Sequence, residues 1–122
     1  SDDEVIRHYH AHGECEQFHS EIKTDMDVER LPSGKFDTNE LVLELTILAY
    51  NILRMIGQET IGRRKTRHKV KRRRLRTVIS NLVMMASHVT SHARQLIIGL
   101  GKSNVWRHTF SEVYTAFADF SL

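Results

Sequence analysis

The sequence predicts a mainly α-helical fold of four helices with one small β-hairpin. Apolar residues recur every three or four positions in several segments, two short β-rich runs flank a turn, and glycines and a single proline separate these segments. The 122 residues, 40% hydrophobic and 27% charged, have the length and composition of about one globular domain. This composition excludes a collagen-like fibre and a disordered tail. Because Cys15 is the single cysteine, it also excludes a disulfide scaffold and favours a reducing compartment.

The first helix is expected from about Asp2 to Met26. Acidic residues at positions 2–4 suit the positive end of the helix dipole, and Ser1 and Glu4 have the spacing of a capping box. Steps of three and four residues give the segment one apolar face, made of Ala11, Cys15, Phe18, Ile22 and Met26. A neighbouring face carries a second stripe, made of Tyr9, His12, Glu16, His19 and Lys23.

The second helix is expected from Asp37, whose side chain can cap it, to about Ile56, with its end near Gly57. A turn at residues 31–35, which include the single proline, separates it from the first helix. Apolar residues lie on almost every side of this segment. The sequence therefore predicts a buried core helix here.

The second half of the chain is expected to hold a basic third helix over residues 66–83, a hairpin and a last helix. The third helix would face inward with Val70, Leu75, Val78, Ile79 and Leu82. Two β-rich runs, residues 85–89 and 94–100, flank a turn at 90–93 and predict the hairpin; a continuing helix is the alternative for the first run. The last helix, 106–120, has an apolar stripe of Trp106, Phe110, Val113, Phe117 and Phe120. The expected regions are 1–58 and 59–122, within one globular unit.

Charge is distributed very unevenly along the chain, although the net charge is only +3. Residues 1–45 hold twelve acidic and four basic residues, a net charge of −8. Residues 63–76 hold no acidic residue and ten basic ones: Arg63, Arg64, Lys65, Arg67, Lys69, Lys71, Arg72, Arg73, Arg74 and Arg76. Such a run repels itself unless a polyanion neutralises it, so we expect it to bind nucleic-acid phosphates. A solvated basic linker is the alternative.

The polar stripe of the first helix could serve several kinds of site. Glu16 and His19 have the Glu-x-x-His spacing of di-iron bundles, with His8 and His12 nearby, but the second helix offers only Glu44 as a further mid-helix ligand. A zinc site or a cysteine hydrolase would need Cys15, which is expected on the apolar face. A solvated helix face with His12–Glu16 pairs is the remaining structural alternative.

The spacing Tyr9-x2-His12-x3-Glu16-x6-Lys23 resembles the Tyr-x2-Arg-x3-Glu-x6-Lys hallmark of a large group of bacterial insertion-sequence transposases. These are DDE enzymes with an RNase H-like α/β catalytic fold. The similarity extends to residues 30–36, with their Leu-Pro-Ser-Gly turn, to Asn39, and to residues 48–54, with their Ala-Tyr-Asn sequence. The basic segment, the hairpin with His92-Ala93-Arg94 and the final helix that follows Trp106 are also similar to the C-terminal part of such a transposase.

The resemblance implies that Glu16 is the third acid of the DDE triad and a ligand of Mg²⁺ or Mn²⁺ in the complete active site. Tyr9, His12 and Lys23 match positions that contact transposon-end DNA. His12 stands where the family usually has Arg, and an imidazole cannot make the bidentate phosphate contact of a guanidinium. The two catalytic aspartates of the family lie on strands upstream of this helix, so Ser1 is interpreted as the edge of a fragment that is inactive alone.

The implied function is cutting and joining of transposon-end DNA by two-metal phosphoryl transfer. The expected partners are transposon-end or target DNA, the rest of the transposase chain and a possible second copy, in the bacterial cytoplasm at the nucleoid. A membrane partner is not expected, since no run reaches the roughly 20 apolar residues of a membrane span. A stand-alone basic nucleic-acid-binding module, and a helical interaction protein whose acidic half pairs with basic halves of its neighbours, are the alternatives.

Overall fold

The computed structural model describes residues 2–63 and 70–119, which form four α-helices and one antiparallel hairpin. The helices are α1 (Asp2–Ser20), α2 (Phe36–Glu59), α3 (Leu75–Val78) and α4 (Arg107–Ala118), and the strands are β1 (Ser87–His92) and β2 (Gln95–Leu100). Two π-helical turns continue helices: the first π-turn (Glu21–Asp25) follows α1, and the second π-turn (Ile79–Val83) follows α3. The predicted mainly helical fold with one hairpin is confirmed.

The chain divides into two compact units, Ser1–Ile52 and Leu53–Leu122, with the boundary inside α2. The regions expected from the sequence, 1–58 and 59–122, stay a prediction. The predicted capping box at Ser1 and the last apolar position, Phe120, lie outside the described residues. None of the described helices is both long and apolar enough to cross a membrane.

The first unit is held together around Tyr50, the buried aromatic residue of α2. The ring of Phe18, on α1, meets the ring of Tyr50 edge to face with centroids 6.0 Å apart. The loop before α2 is fastened by Asn39, whose Nδ2 donates to the Ser33 carbonyl (2.7 Å) and whose Oδ1 accepts from the Ser33 backbone N–H (3.2 Å). These bonds satisfy backbone groups that a loop leaves without helical partners.

The bounds and the burial of α2 differ from the prediction. The helix begins at Phe36, one residue before the expected cap Asp37, and continues through Gly57 to Glu59. The prediction of a buried core helix is wrong for this structure, because within α2 only Thr46, Tyr50 and Gly57 are buried. Its exposed large apolar side chains are Leu41, Leu43, Leu45, Ile47, Leu48, Ile52 and Met55.

The second unit has an apolar core in which Val78, Leu82 and Trp106 are buried. Partly buried side chains pack against this cluster: Leu53, Ile56, Met85 and Phe110. The backbone of α2 comes close at Gly57, where an added Cβ would lie 3.0 Å from Val78 Cγ2. A larger residue at this position would require the neighbouring side chain to shift by a few tenths of an ångström, so a glycine inside this long helix suits the close approach.

The third helix was predicted over residues 66–83 and is much shorter. Residues 70–74 are not helical, and Arg74 has extended dihedral angles (φ −69°, ψ 141°). A helix through this segment would place like charges three and four residues apart, where they repel. Helix α3 therefore begins at Leu75, and Leu75, Val78 and Leu82 are buried as expected.

The hairpin is present but its turn lies further along the chain than predicted. Strands β1 and β2 pair from Ser87 with Leu100 to His92 with Gln95, so the loop consists of Ala93 and Arg94 alone. Both loop residues have positive φ, 49° and 63°, which is the conformation of a two-residue type I′ turn. Asn and Gly normally mark such turns, so their absence hid the register of the hairpin from sequence analysis.

Helix α4 confirms the predicted last helix with slightly shorter bounds. Asn104 Oδ1 accepts a hydrogen bond from the Trp106 backbone N–H (2.8 Å), which ties the entry of the helix to the preceding turn. Val113 and Thr109 are buried on one side of α4, and Phe110 packs against the core cluster. The first part of the apolar stripe, Trp106, Phe110 and Val113, therefore faces the interior of the second unit as its spacing indicated, whereas Phe117 is exposed.

Candidate functional site

Glu16 lies on α1 with its side chain 75% exposed. Its Oε1 is 3.8 Å from Nδ1 of His12, one helical turn earlier, and the pair is ionic only when the imidazole is protonated. An exposed pair of this kind adds little stability because solvent and salt screen it. The Glu16 carboxylate is therefore accessible to a ligand.

Tyr9, His12 and Glu16 lie along one face of α1, at steps of three and four residues. Tyr9 is 81% exposed, and His12 is exposed beside Glu16. Lys23 is exposed as well, but it lies in the first π-turn, beyond the end of α1. A π-helix bonds residue i to i+5, so it winds differently from an α-helix. In a regular α-helix, Glu16 and Lys23 would lie on the same face because they are seven residues apart. The π-turn changes the rotation between them, so this alignment does not follow from the spacing alone.

The described residues do not form a complete metal site. A carboxylate such as that of Glu16 is a suitable donor for a hard divalent cation, but one carboxylate rarely holds such an ion alone. In residues 2–63 and 70–119 no three His, Cys, Asp or Glu side chains come together in a way that could bind a metal. The alternatives that combined His8, His12, Glu16 and His19, or added Cys15, therefore find no support in this part of the chain.

Cys15 was expected on an inward apolar face and is exposed instead. The described contacts of α1 with Tyr50 come from Phe18, near the end of the helix, which is partly buried. Side chains one or more turns earlier, including Cys15, stay on the surface for that reason.

The predicted basic DNA-contact residues have different environments. Arg64, Lys65, Arg67 and Lys69 lie outside the described residues. Arg63 is paired with Glu59, since its guanidinium donates to Glu59 Oε1 from both Nε and Nη2. Arg72 is partly buried, whereas three side chains are exposed on the surface of the second unit: Lys71, Arg74 and Arg76.

Arg73, also predicted to contact DNA, is placed in the interior with 9% exposure. Its Nε donates to Thr60 Oγ1, its Nη2 donates to the Thr60 carbonyl (3.4 Å), and its guanidinium carbon lies 5.3 Å from the centre of the Trp106 ring. Arg54 Nη1 in turn donates to the Arg73 carbonyl (3.3 Å). A buried charge is tolerated only when it is hydrogen-bonded, and these contacts meet that need. A guanidinium buried in this way does not fit the DNA contact predicted for Arg73 from its charge.

Sequence analysis missed Glu21, the buried carboxylate of the first π-turn. Glu21 is 3% exposed, and its Oε2 accepts a hydrogen bond from the Tyr50 hydroxyl (3.2 Å). A signal for this pair was present in the sequence: Tyr50 stands in a strongly apolar helix, and a buried tyrosine hydroxyl usually finds a hydrogen-bond partner. Which polar residue it would meet could not be read from spacing.

A family model, described as Transposase DDE domain group 1, matches residues 1–121. The chain therefore belongs to the group 1 family of transposase DDE domains. Transposases of this kind act on DNA in transposition and recombination, and their DDE domains generally use divalent metal ions. Comparison with curated proteins and with solved structures gave no match. The mainly helical fold agrees with a C-terminal part of such a domain.

Proposed function

We propose that this chain is the part of a DDE transposase that supplies the third acidic residue, Glu16, for cutting and joining transposon-end DNA. The observation that supports the proposal most directly is the exposed position of Glu16 on the same face of α1 as Tyr9 and His12. The remaining acidic residues of the site would come from other segments of the transposase. For that reason the isolated chain is expected to be inactive.

Glu16 contributes one carboxylate donor to that composite site. Mg²⁺ or Mn²⁺ is the expected metal, since oxygen donors suit both hard cations. When bound, such ions activate an attacking oxygen and stabilise the leaving oxygen of a phosphoryl transfer. Whatever the order of the chemical steps, the chain's own contribution is to keep the Glu16 carboxylate exposed at a fixed place on a helix.

The exposed neighbours of Glu16 are suited to bind the DNA near the cut. The Lys23 ammonium contacts phosphate as a point charge, and the Tyr9 ring and hydroxyl can contact sugar and phosphate together. His12 keeps one ring nitrogen near Glu16, and it lacks the fork of donors with which an arginine binds phosphate. We therefore assign His12 a weak, solvent-screened contact with Glu16 and only a single contact to DNA.

In the second unit, the exposed Lys71, Arg74 and Arg76 are proposed to bind the phosphate backbone without reading sequence. Arg64, Lys65, Arg67 and Lys69 stay predicted contacts on the basis of their charge alone. Arg73 is left out of this set, because its guanidinium is occupied by Thr60 and Trp106.

The proposal is tested by Glu16→Gln in the complete transposase that carries this sequence. Mutation of residues that only support metal ligands typically lowers metal affinity or activity by about 10–100-fold. Loss of the ligand itself is therefore expected to reduce the rate of strand cleavage at least about a hundredfold. DNA affinity, measured by fluorescence anisotropy, should stay nearly unchanged because no phosphate contact is removed.

Glu14→Gln is the matched control, since Glu14 is an exposed carboxylate on the same helix two residues away. That variant should cleave at the wild-type rate. Full activity of Glu16→Gln, or equal loss in both variants, would contradict the assignment of Glu16.

The second candidate is a stand-alone basic nucleic-acid-binding module, favoured by the exposed Lys71, Arg74 and Arg76. It predicts the same steep fall of affinity with salt but no dependence of any reaction on Glu16. Salt-insensitive binding would instead favour a helical interaction protein. Reading the encoding DNA upstream of the Ser1 codon separates the first two: an open frame with strand-like segments that end near aspartates supports the transposase.

A further inference from the structure

We propose that Tyr50 and Glu21 act as a positioning pair that sets the rotation of α1 and thereby the direction in which Glu16 faces. This inference rests on the proposed function of Glu16 and adds two residues to it. Neither residue belongs to the four positions of the hallmark spacing. The pair is defined by the hydrogen bond from the Tyr50 hydroxyl to Glu21 Oε2 inside the first unit.

The first step of the argument is the burial of Glu21. Among the described residues, Glu21 is the one acidic residue that is buried, with 3% exposure. The Glu16 side chain, five residues earlier, is 75% exposed. Burying a carboxylate is costly unless it is hydrogen-bonded, so its place next to Tyr50 is strongly specified. A surface glutamate would exert no such constraint.

The second step concerns rotation about the axis of α1. Phe18 and Glu21 are three residues apart, so they project from the same side of the helix, and both contact Tyr50. Glu16 precedes Phe18 by two residues, which is roughly 200° around an α-helix. The contact from Phe18 on α1 and the contact from Glu21, the first residue of the π-turn, therefore lie on one side and turn Glu16 to the opposite, exposed side.

The third step is the change of helix type that begins at Glu21. The Met26 N–H donates to the Glu21 carbonyl (3.1 Å), which closes the first π-turn, and Thr24 Oγ1 donates back to the Ser20 carbonyl (2.7 Å). Lys23 lies within this turn. Glu21, whose side chain meets Tyr50, is thus also the first residue of the turn that carries Lys23, and π-turns are frequent at functional sites.

Tyr50→Phe in the complete transposase tests the pair, since it removes the hydroxyl and keeps the ring that contacts Phe18. Misplacement of a catalytic group by about 1 Å can cost about a hundredfold, and we expect a fall of about tenfold in the cleavage rate constant. The KM for DNA should rise less than the rate constant falls, because no DNA-contacting side chain is removed. Tyr114→Phe, an exposed tyrosine of α4, is the matched control and should have no effect.

Two substitutions of Glu21 separate positioning from simple loss of stability. Glu21→Gln keeps an oxygen that accepts from Tyr50, so it should retain the wild-type rate, whereas Glu21→Ala should be as slow as Tyr50→Phe. The double variant Glu21→Ala/Tyr50→Phe should be no slower than either single one, as expected for partners in one interaction. Glu21→Gln as slow as Glu21→Ala would overturn the proposal.

Hydrogen exchange of the amides of residues 16–26 provides a readout that does not depend on activity. Tyr50→Phe should speed exchange in the first π-turn and leave α4 unchanged, because the hydroxyl bond is local. Unchanged exchange in this segment would overturn the positioning role whether or not Glu16 is catalytic. An active Glu16→Gln enzyme would instead overturn the proposed function, so the two failures can be told apart.

Discussion

The two units of the chain are stabilised in different ways. The second unit has an apolar core around Val78, Leu82 and Trp106, into which Arg73 also places its guanidinium. The described contacts of the first unit centre on Tyr50, which meets Phe18 and Glu21, while much of the apolar surface of α2 is exposed. The unit with the proposed catalytic acid is therefore the less well packed one. Such a unit gains most from contact with further protein.

The largest expected difference between the units comes from removing a leucine side chain in each. Leu75 is fully buried in the second unit, so Leu75→Ala should lower the free energy of unfolding by about 2–5 kcal/mol. The matched position is Leu45, which is exposed on α2. Leu45→Ala should change the free energy of unfolding by less than about 0.5 kcal/mol. Urea unfolding followed by circular dichroism measures both. Equal costs would mean that another surface covers α2 in solution.

The next expected effect distinguishes the buried arginine from an exposed lysine. Arg73→Lys keeps the charge but loses the paired donors to Thr60 and the flat contact with Trp106, so it should lower the free energy of unfolding by about 1–3 kcal/mol. Lys71→Ala should leave the free energy of unfolding unchanged and lower the slope of log affinity against log salt by about 1. If Arg73→Lys weakened DNA binding and left stability intact, the interior role of Arg73 would be wrong.

Replacing glycine with alanine should change the free energy of unfolding in opposite directions in the two units. At Gly57 the new methyl would lie 3.0 Å from Val78 Cγ2, and because Val78 is buried among core side chains a shift is costly, so a net loss of about 1 kcal/mol is expected. At Gly13 no atom lies within 4 Å, so the variant should gain about 0.5–1 kcal/mol from the higher helix propensity of alanine. Thermal unfolding of the two variants and the wild type measures both effects. Higher stability of Gly57→Ala would contradict the close packing of Gly57 against Val78.

The smallest expected effect concerns the hairpin of the second unit. Ala93 and Arg94 adopt positive φ, which asparagine and glycine tolerate better. Ala93→Asn/Arg94→Gly should therefore raise the free energy of unfolding by about 0.5–1 kcal/mol. Ala93→Val, a β-branched residue at the same position, is the opposite control and should destabilise the hairpin. Similar stability in both variants would contradict the described turn.

Sequence patterns located the helices and the hairpin well, and positions of single side chains less well. The stripe of α4 and the inward residues Leu75, Val78 and Leu82 follow from helical spacing, because one face of a helix must pack against a core. The bounds of the hairpin were wrong, since its turn consists of Ala93 and Arg94, residues with no preference for positive φ. The family was recognised from the spacing of four exposed residues, Tyr9, His12, Glu16 and Lys23. This spacing can be read from the sequence without knowledge of the tertiary contacts.

The amino-acid sequence by itself determined the helical periodicity of α1, α2 and α4, the contrast between an acidic first half and a basic segment, and the place of Glu16 in a recognisable spacing. These are properties of neighbours along one chain, which local geometry and charge express directly. Only the tertiary structure decided that Arg73 leaves the basic run for the interior and that Glu21 meets Tyr50 29 residues away. Burial of a charged group depends on a partner that is distant in sequence, and no local pattern specifies which partner will be in reach.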